Sequence, residues 1–256
     1  MNTRVRQRYL DAMGITRWVP RADSLDGLTE ESVIDAVQTR APGAVTEPPP
    51  IPVSTEKGGV SGNWTELETA VRTCTKCSLH ATRTQTVFGV GNRSARWMFI
   101  GEAPGADEDR QGEPFVGRAG QLLNAMLFAM GLKREEVYIA NVLKCRPPGN
   151  RDPQPQEVAQ CEPYLRRQIE FIRPALIVAL GRHAAHSLLK TEVPLARLRG
   201  QRLSYHGTPL IVTYHPAYLL RNPADKRKAW DDLCLAKTIM QKSGGDMATD
   251  LGAEKS

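Results

Sequence analysis

Between Trp97 and Tyr214 the chain alternates short apolar runs with longer amphipathic stretches, and few folds accept that pattern. The runs 97–101, 137–142, 175–180 and 210–214 have the length of buried strands rather than helices. Between them, 118–130, 154–172 and 181–190 carry helical periodicity, and a last helix is predicted over 224–241. In 118–130 the apolar stripe is Leu122, Leu123, Met126 and Met130, with Gly131 placed to stop the helix. In 154–172 it is Val158, Cys161, Leu165, Ile169 and Ile172. Strand–helix alternation predicts an α/β fold, a parallel sheet covered by helices on both faces. Ligands of such sheets bind at the carboxyl ends of the strands. An apolar fraction of 41% is enough for a sizeable core.

The folded body is expected over 63–242, opening with "NWTE", a capping box on a helix that runs to about Thr73. Upstream, 41–62 reads as a linker, with five Pro and three Gly in 41–60. Residues 1–40 read as an extension with short helices over 3–18 and 28–39, and 243–256 as a disordered tail. The formal net charge of +6 gathers on the folded body, a weak pointer toward a polyanion such as nucleic acid. No apolar run approaches the roughly 20 residues that a membrane span needs, and the N-terminus does not read as a secretory leader. The expected compartment is the cytoplasm, where disulfides are rare and the five cysteines need another role.

Cys74 and Cys77 form a C-x-x-C pair, a spacing shared by redox, zinc and iron–sulfur sites. Cys145 follows a strand and Cys161 lies on the next helix, so four thiolates can converge, on zinc or on an Fe–S cluster. Cys234, beside Trp230 and Leu233, reads as a small core residue.

The segment "GEAPGADEDRQGEPFVG" (101–117) leaves the first strand at its carboxyl end and carries five carboxylates. It lacks the Gly-rich loop with Lys of a phosphate cradle, and its acids repel phosphate. Asp107, Glu108 and Asp109 are adjacent and point in different directions, a poor set for a hard metal. The remaining reading is a tight turn against a neutral ring, with Phe115 as a stacking face. Asn141, at a strand end, offers a donor and an acceptor side by side, as the edge of a base requires. His215, just after strand 210–214, can donate a hydrogen bond to developing negative charge. Each of the three has a structural alternative taken singly; together they converge on one pocket.

The stretches "GEAPGADEDRQGEPFVGRAGQLLN", "ANVLKCRPPGNRDPQPQE", "IRPALIVALG" and "YHPAYLLR" closely resemble the family 4 uracil-DNA glycosylases, the iron–sulfur type. The resemblance runs from about Asn63 to Lys242. It implies a three-layer α/β/α sandwich with a four-stranded parallel central sheet. It also implies a structural [4Fe–4S] cluster on Cys74, Cys77, Cys145 and Cys161. By the same resemblance the enzyme flips uracil from single- or double-stranded DNA and hydrolyses its N-glycosidic bond, leaving an abasic site. Phe115 stacks on the base, Asn141 reads its polar edge, and the backbone near Glu102 and Ala103 together with His215 faces uracil O2. Glu108 crowds the C5 side against the methyl of thymine. Leu219 wedges into the emptied stack, and Arg199 and Arg221 hold backbone phosphate. Archetypal uracil glycosylases carry an Asp where this chain has Ala103, so Glu102 becomes the candidate for orienting the attacking water. His215, Asn141 and Glu102 are thus the expected catalytic set.

A uracil-trapping relative carries an inserted basic loop ending in "RRIH", which is absent between Asn141 and Cys161, so hydrolytic turnover is expected. The pocket motifs are read as holding no Lys for a Schiff base, so the enzyme is expected to be monofunctional. The competing reading is a metal-stabilised module that binds damaged or single-stranded DNA without turnover. Finally, "RQRYLDAMGITRWVPRAD" resembles the N-terminal peptide of the clamp-loader psi subunit. That likeness implies docking of residues 3–20 on the chi subunit, the alternative being a helix that packs on its own domain; the enzyme is separately expected to be monomeric and nucleoid-associated.

Overall fold

The computed structural model describes residues 63–249. Both N-terminal helices, the linker and the docking peptide lie outside them. Helix α1 spans Trp64–Arg72. Asn63 caps it, accepting the Glu66 N–H at 3.0 Å and donating from Nδ2 to Glu66 Oε1 at 3.2 Å. Strands β1 (Val90–Gly91) and β2 (Trp97–Gly101) follow. Next come helices α2 (Ala106–Gln111) and α3 (Arg118–Met130), then strand β3 (Tyr138–Asn141). Helix α4 (Pro155–Ile172) leads to β4 (Leu176–Leu180), α5 (Arg182–Leu189) and the short α6 (Leu195–Leu198). The hairpin β5 (Leu203–Tyr205) and β6 (Thr208–Thr213) precedes α7 (Pro216–Arg221) and α8 (Lys226–Thr249).

Among the described residues the strands form one six-stranded sheet in the order β1-β3-β2-β4-β6-β5. Its inner four strands are parallel, as expected, and both edges are antiparallel. The four-stranded parallel centre that the resemblance implied is thus present, and one antiparallel strand on each edge makes the whole sheet mixed. Neither edge strand has enough alternating residues to announce itself. β1 has two residues and ends in Gly91, whose φ of 121° few side chains adopt. β5 turns into β6 through His206 and Gly207, both at positive φ, the two-residue turn that matches strand twist.

Strand residues alternate between the two helical layers. Phe99, Ile139, Val178 and Ile211 pack with Leu123, Met126 and Leu127 of α3 and Trp230 and Leu233 of α8. Cys234 packs against the same cluster. Met98, Ile100, Ile177, Leu210 and Val212 pack with Leu165, Ile169 and Ile172 of α4 and Ala184, Ala185 and Leu188 of α5. The three-layer sandwich is thus a direct consequence of period-2 burial between two apolar helix faces. Helix α3 ends at Gly131 in the left-handed conformation, as the stripe predicted. Helix α8 runs on past the expected boundary at 242.

Two residues expected at the DNA belong instead to this scaffold. Leu219 is 1% exposed and sits in the core cluster with α3 and α8. Position in the "HPAYLLR" motif does not reveal which face of α7 is buried, and Leu219 is on the inward one. The Nε of Arg199 donates to Asp232 at 2.7 Å and its Nη2 to the Lys228 carbonyl at 2.6 Å. Its guanidinium lies 4.3 Å from the centre of the Tyr214 ring. These contacts fasten α8 to the end of β6 and tie up the Nε, the Nη2 and one face of the Arg199 guanidinium.

Candidate active site

The carboxyl ends of β2, β3, β4 and β6 open onto a cavity of about 770 Å³. Glu102, Ala103, Glu108, Phe115, Asn141, His215 and Arg221 all line it. The parallel register sets Gly101 beside Asn141. A Cβ on Gly101 would lie 2.4 Å from Asn141 Oδ1 and 2.5 Å from Phe115 Cζ, so only glycine lets the amide and the ring share this space.

The acid-rich segment is not the simple turn expected from sequence. Residues 106–111 form α2, with Asp107, Glu108 and Asp109 in its first turn, where the helix dipole favours negative charge. Most of its carboxylates are structural. Buried Asp109 accepts the Thr84 N–H at 3.0 and 3.1 Å. Glu108 accepts from Gly105 N at 3.1 Å, Val116 N at 2.9 Å and Gly117 N at 3.1 Å. Glu108 therefore lines the pocket with both oxygens tied down, which makes it a rigid wall. That brace, with Arg134 donating to the Pro114 carbonyl at 2.6 Å, holds Phe115 at a φ of 56°. A non-glycine residue at such a φ stores strain, which the surrounding bonds offset. Gly120 completes the clamp, because a Cβ there would lie 1.8 Å from the Phe115 carbonyl oxygen.

Asn141 is 2% exposed, and its Oδ1 has no hydrogen-bond partner among the described residues. A buried acceptor without a donor is costly, so its place on the pocket wall marks it for a ligand N–H. Its backbone carbonyl is fixed by Lys144 Nζ at 2.8 Å. Lys144 does lie in the Asn141 motif, contrary to the reading that those motifs hold no lysine. Its ammonium is nonetheless outside the pocket, bonded also to Gln168 Oε1 at 2.6 Å and the Phe88 carbonyl at 3.3 Å. Burial pushes this lysine down to about 7.

His215 caps α7, its Nδ1 accepting the Ala217 N–H at 3.1 Å. Because Nδ1 is an acceptor, the neutral ring carries its proton on Nε2. Burial, with repulsion from Arg221 and His183, drives its pKa down to about 4, so the ring is neutral at physiological pH. Its centroid lies 5.5 Å from that of Phe115. Gly181 permits this placement, since a Cβ there would lie 2.8 Å from the His215 Cβ.

Sequence reasoning missed a polar cluster that also lines the cavity. Among the described residues, Glu102, Asp152 and His183 form the group whose ligand atoms lie within 4.8 Å of one another. Burial and the Asp152 carboxylate push Glu102 up to about 7, against the pull of Arg182. Asp152 and His183 come from a loop and a helix start distant in sequence, so no local motif signals them.

The four cysteines gather beside this wall. Cys77, Cys145 and Cys161 pack with Leu79, Leu143, Val158 and Ala103, and Ala103 also faces the pocket. Cys74 and Cys77 both lie near enough to Cys145 to act on its charge. Burial pushes the Cys161 thiol up to about 11, opposed by the Lys144 backbone N–H that bonds it. Arg83 donates to Cys145 Sγ at 3.1 Å.

The α/β/α fold brings an aromatic face, an orphan amide oxygen and a neutral imidazole together at the strand ends. Residues 88–234 match the profile of the Uracil DNA glycosylase superfamily, and the chain belongs to it. The type-4 uracil-DNA glycosylase of Thermotoga maritima is 46% identical over 178 residues, 68% of this chain and 93% of the relative. That of Archaeoglobus fulgidus is 52% identical over 161 residues, 60% of this chain and 81% of the relative. A type-5 uracil-DNA glycosylase of Pyrobaculum aerophilum is 35% identical over 146 residues, half of this chain and 64% of the relative. Within the superfamily the chain belongs with the type-4 enzymes.

Gly101→Ala tests the pocket geometry directly. The added methyl must displace Asn141 or Phe115. A shift of that size near reacting groups is expected to cost about a hundredfold in single-turnover rate while the protein stays folded. Wild-type rates in a folded variant would show that the two side chains need not share that space.

Proposed function

We propose that this chain is a monofunctional DNA glycosylase that removes uracil by hydrolysis, the first step of base excision repair, acting as a monomer at the chromosome. The observation that carries the reading is the convergence of Phe115, the unpaired Asn141 Oδ1 and the Nε2–H of His215 on one cavity. A base inside a duplex is out of reach, so the nucleotide must be rotated out of the stack. Phe115 then lies against the ring. Asn141 accepts the uracil N3–H and donates to O4, while His215 donates to O2. Glu108, held by three backbone N–H groups, stands where it leaves no room for a methyl on C5. Arg221, exposed on the rim, is the phosphate contact that remains of those expected.

The C1′–N1 bond breaks with its electron pair leaving on uracil. Charge that develops on O2 meets a donor already in place, which lowers the barrier more than the same bond would in water. A neutral imidazole is the suitable donor, because it binds the forming anion without first giving its proton away. Glu102, with a carboxyl near 7, can take a proton from the attacking water at neutral pH. Lys144 is buried against backbone and Gln168, and among the described residues no lysine lines the cavity, in keeping with a monofunctional reaction.

Cys74, Cys77, Cys145 and Cys161 fit a [4Fe–4S] cluster. Their surroundings are apolar, with N–H donors to two of the sulfurs. Bound there, the cluster supplies a cross-link between the segment after α1, the loop after β3 and helix α4. Since Ala103 touches both sites, that cross-link also stiffens the pocket wall.

Two experiments test these readings. With an oligonucleotide containing one deoxyuridine, wild-type protein is expected to release free uracil, and Asn141→Ala and His215→Ala to release it at least about a hundredfold more slowly. Binding without release would support a DNA-binding module instead. Purified protein is expected to hold about four iron and four sulfide per chain. Cys161→Ser should lose them together with thermal stability, and one zinc without sulfide would overturn the assignment.

A further inference from the structure

The Glu102, Asp152 and His183 side chains form a second polar cluster on the wall of the same cavity. The Nε2 of His183 lies 3.2 Å from Asp152 Oδ2 and 3.0 Å from Arg182 Nη2. Glu102 Oε2 is 3.9 Å away on the pocket side. As N–H this nitrogen has a carboxylate to donate to; as a bare lone pair it has a guanidinium to accept from. Few imidazoles have a partner ready for both protonation states. Such a nitrogen can gain and lose a proton without leaving a group unpaired in either form. The arrangement also argues against a metal at these residues, because Arg182 already places a cation against both His183 and Asp152.

We propose that His183 shares the attacking water with Glu102 and carries its proton away to solvent, held for that task by Asp152 and Arg182. This rests on the reading that Glu102 faces the water. In the neutral ring the single Nε2 lone pair accepts either from Arg182 or from a water beside Glu102 Oε2, and two bonds of about 2.8 Å span the 3.9 Å between Glu102 Oε2 and Nε2. The water oxygen bonds to C1′ as the C1′–N1 bond breaks, and uracil leaves as an anion bound by His215. The water proton passes to Glu102 and on to His183 Nε2, whose imidazolium pairs with Asp152. The partly exposed ring then returns that proton to solvent, and uracil takes one up on release. Burial lowers His183 below the ordinary imidazole value, so the ring is neutral before the proton arrives and gives it up readily to solvent.

The charged and titratable groups around Glu102 are Asp152 and Arg151 on the loop after β3, Arg182 and His183 on α5, Glu108 on α2, and His215 and Arg221 at α7. Two of them have opposite effects on Glu102. Asp152 opposes its ionisation and Arg182 assists it. The base must be ionised to work, so the rate rises with pH through the Glu102 titration.

The test is the single-turnover rate of uracil release, with enzyme in excess, measured across pH. His183→Ala is expected to be about tenfold to a hundredfold slower, with partial recovery on adding free imidazole. Its affinity for uracil DNA with a non-cleavable 2′-fluoro sugar should be unchanged. Asp152→Asn should move the acid limb about one pH unit lower and Arg182→Gln should move it higher, a pair of opposite shifts that loss of packing would not produce. A His183→Ala rate within twofold of wild type, or acid limbs that do not move, would overturn the proposal. If Glu102→Gln also kept the wild-type rate, the fault would lie in the reading of Glu102 itself.

Discussion

The pocket depends on the parallel pairing of β2 with β3 and β4. In-register parallel strands end at the same level, so the residues that follow them meet in one place. Gly101 faces Asn141 across that pairing, and its missing side chain gives room for the amide and the Phe115 ring. A one-residue slip would turn Asn141 to the opposite face and bury a different set of side chains. The apolar alternation that holds the register is thus also what positions the chemistry.

Two imidazoles stand in the cavity in opposite electrostatic settings. His215 caps a helix through its Nδ1, which leaves one N–H to point at the substrate. His183 sits between a carboxylate and a guanidinium, and either protonation state is satisfied. The first suits a fixed donor to a forming anion and the second suits a group that exchanges protons. Position in the fold, rather than residue type, assigns the two roles. Glu102, beside His183, has its carboxyl raised by burial and by Asp152. In the proposed reaction this carboxyl is the base of a chain that has Ala103 at the usual aspartate position.

Where the sequence is periodic, the structure was legible in it. The α3 boundaries follow from an apolar stripe and a terminal glycine, and the four inner strands from runs too short to be helices. The pocket triad of Phe115, Asn141 and His215 was legible because each follows an apolar run that had to be a strand or sits in the loop after one. Short elements were not. β5 is set by a turn rather than by periodicity, and α2 lies inside an acid-rich stretch that reads as loop. Leu219 and Arg199 show a different limit. A motif gives a residue's position along the chain but not the side of the helix it occupies, nor the partner that holds it. Asp152 and His183 are brought together only by the fold, and Lys144 is turned away from the pocket by three acceptors that no local pattern reveals.

The central claim is that His215 enters the reaction as a neutral donor through Nε2. Nitrogen-15 spectra of histidine-labelled protein read the protonation state and tautomer of that ring directly, with His215→Gln assigning the signal. A neutral Nε2–H form from pH 8 down to near 5, with protonation centred near 4, is the expected result. An imidazolium at neutral pH, or a proton on Nδ1, would contradict it.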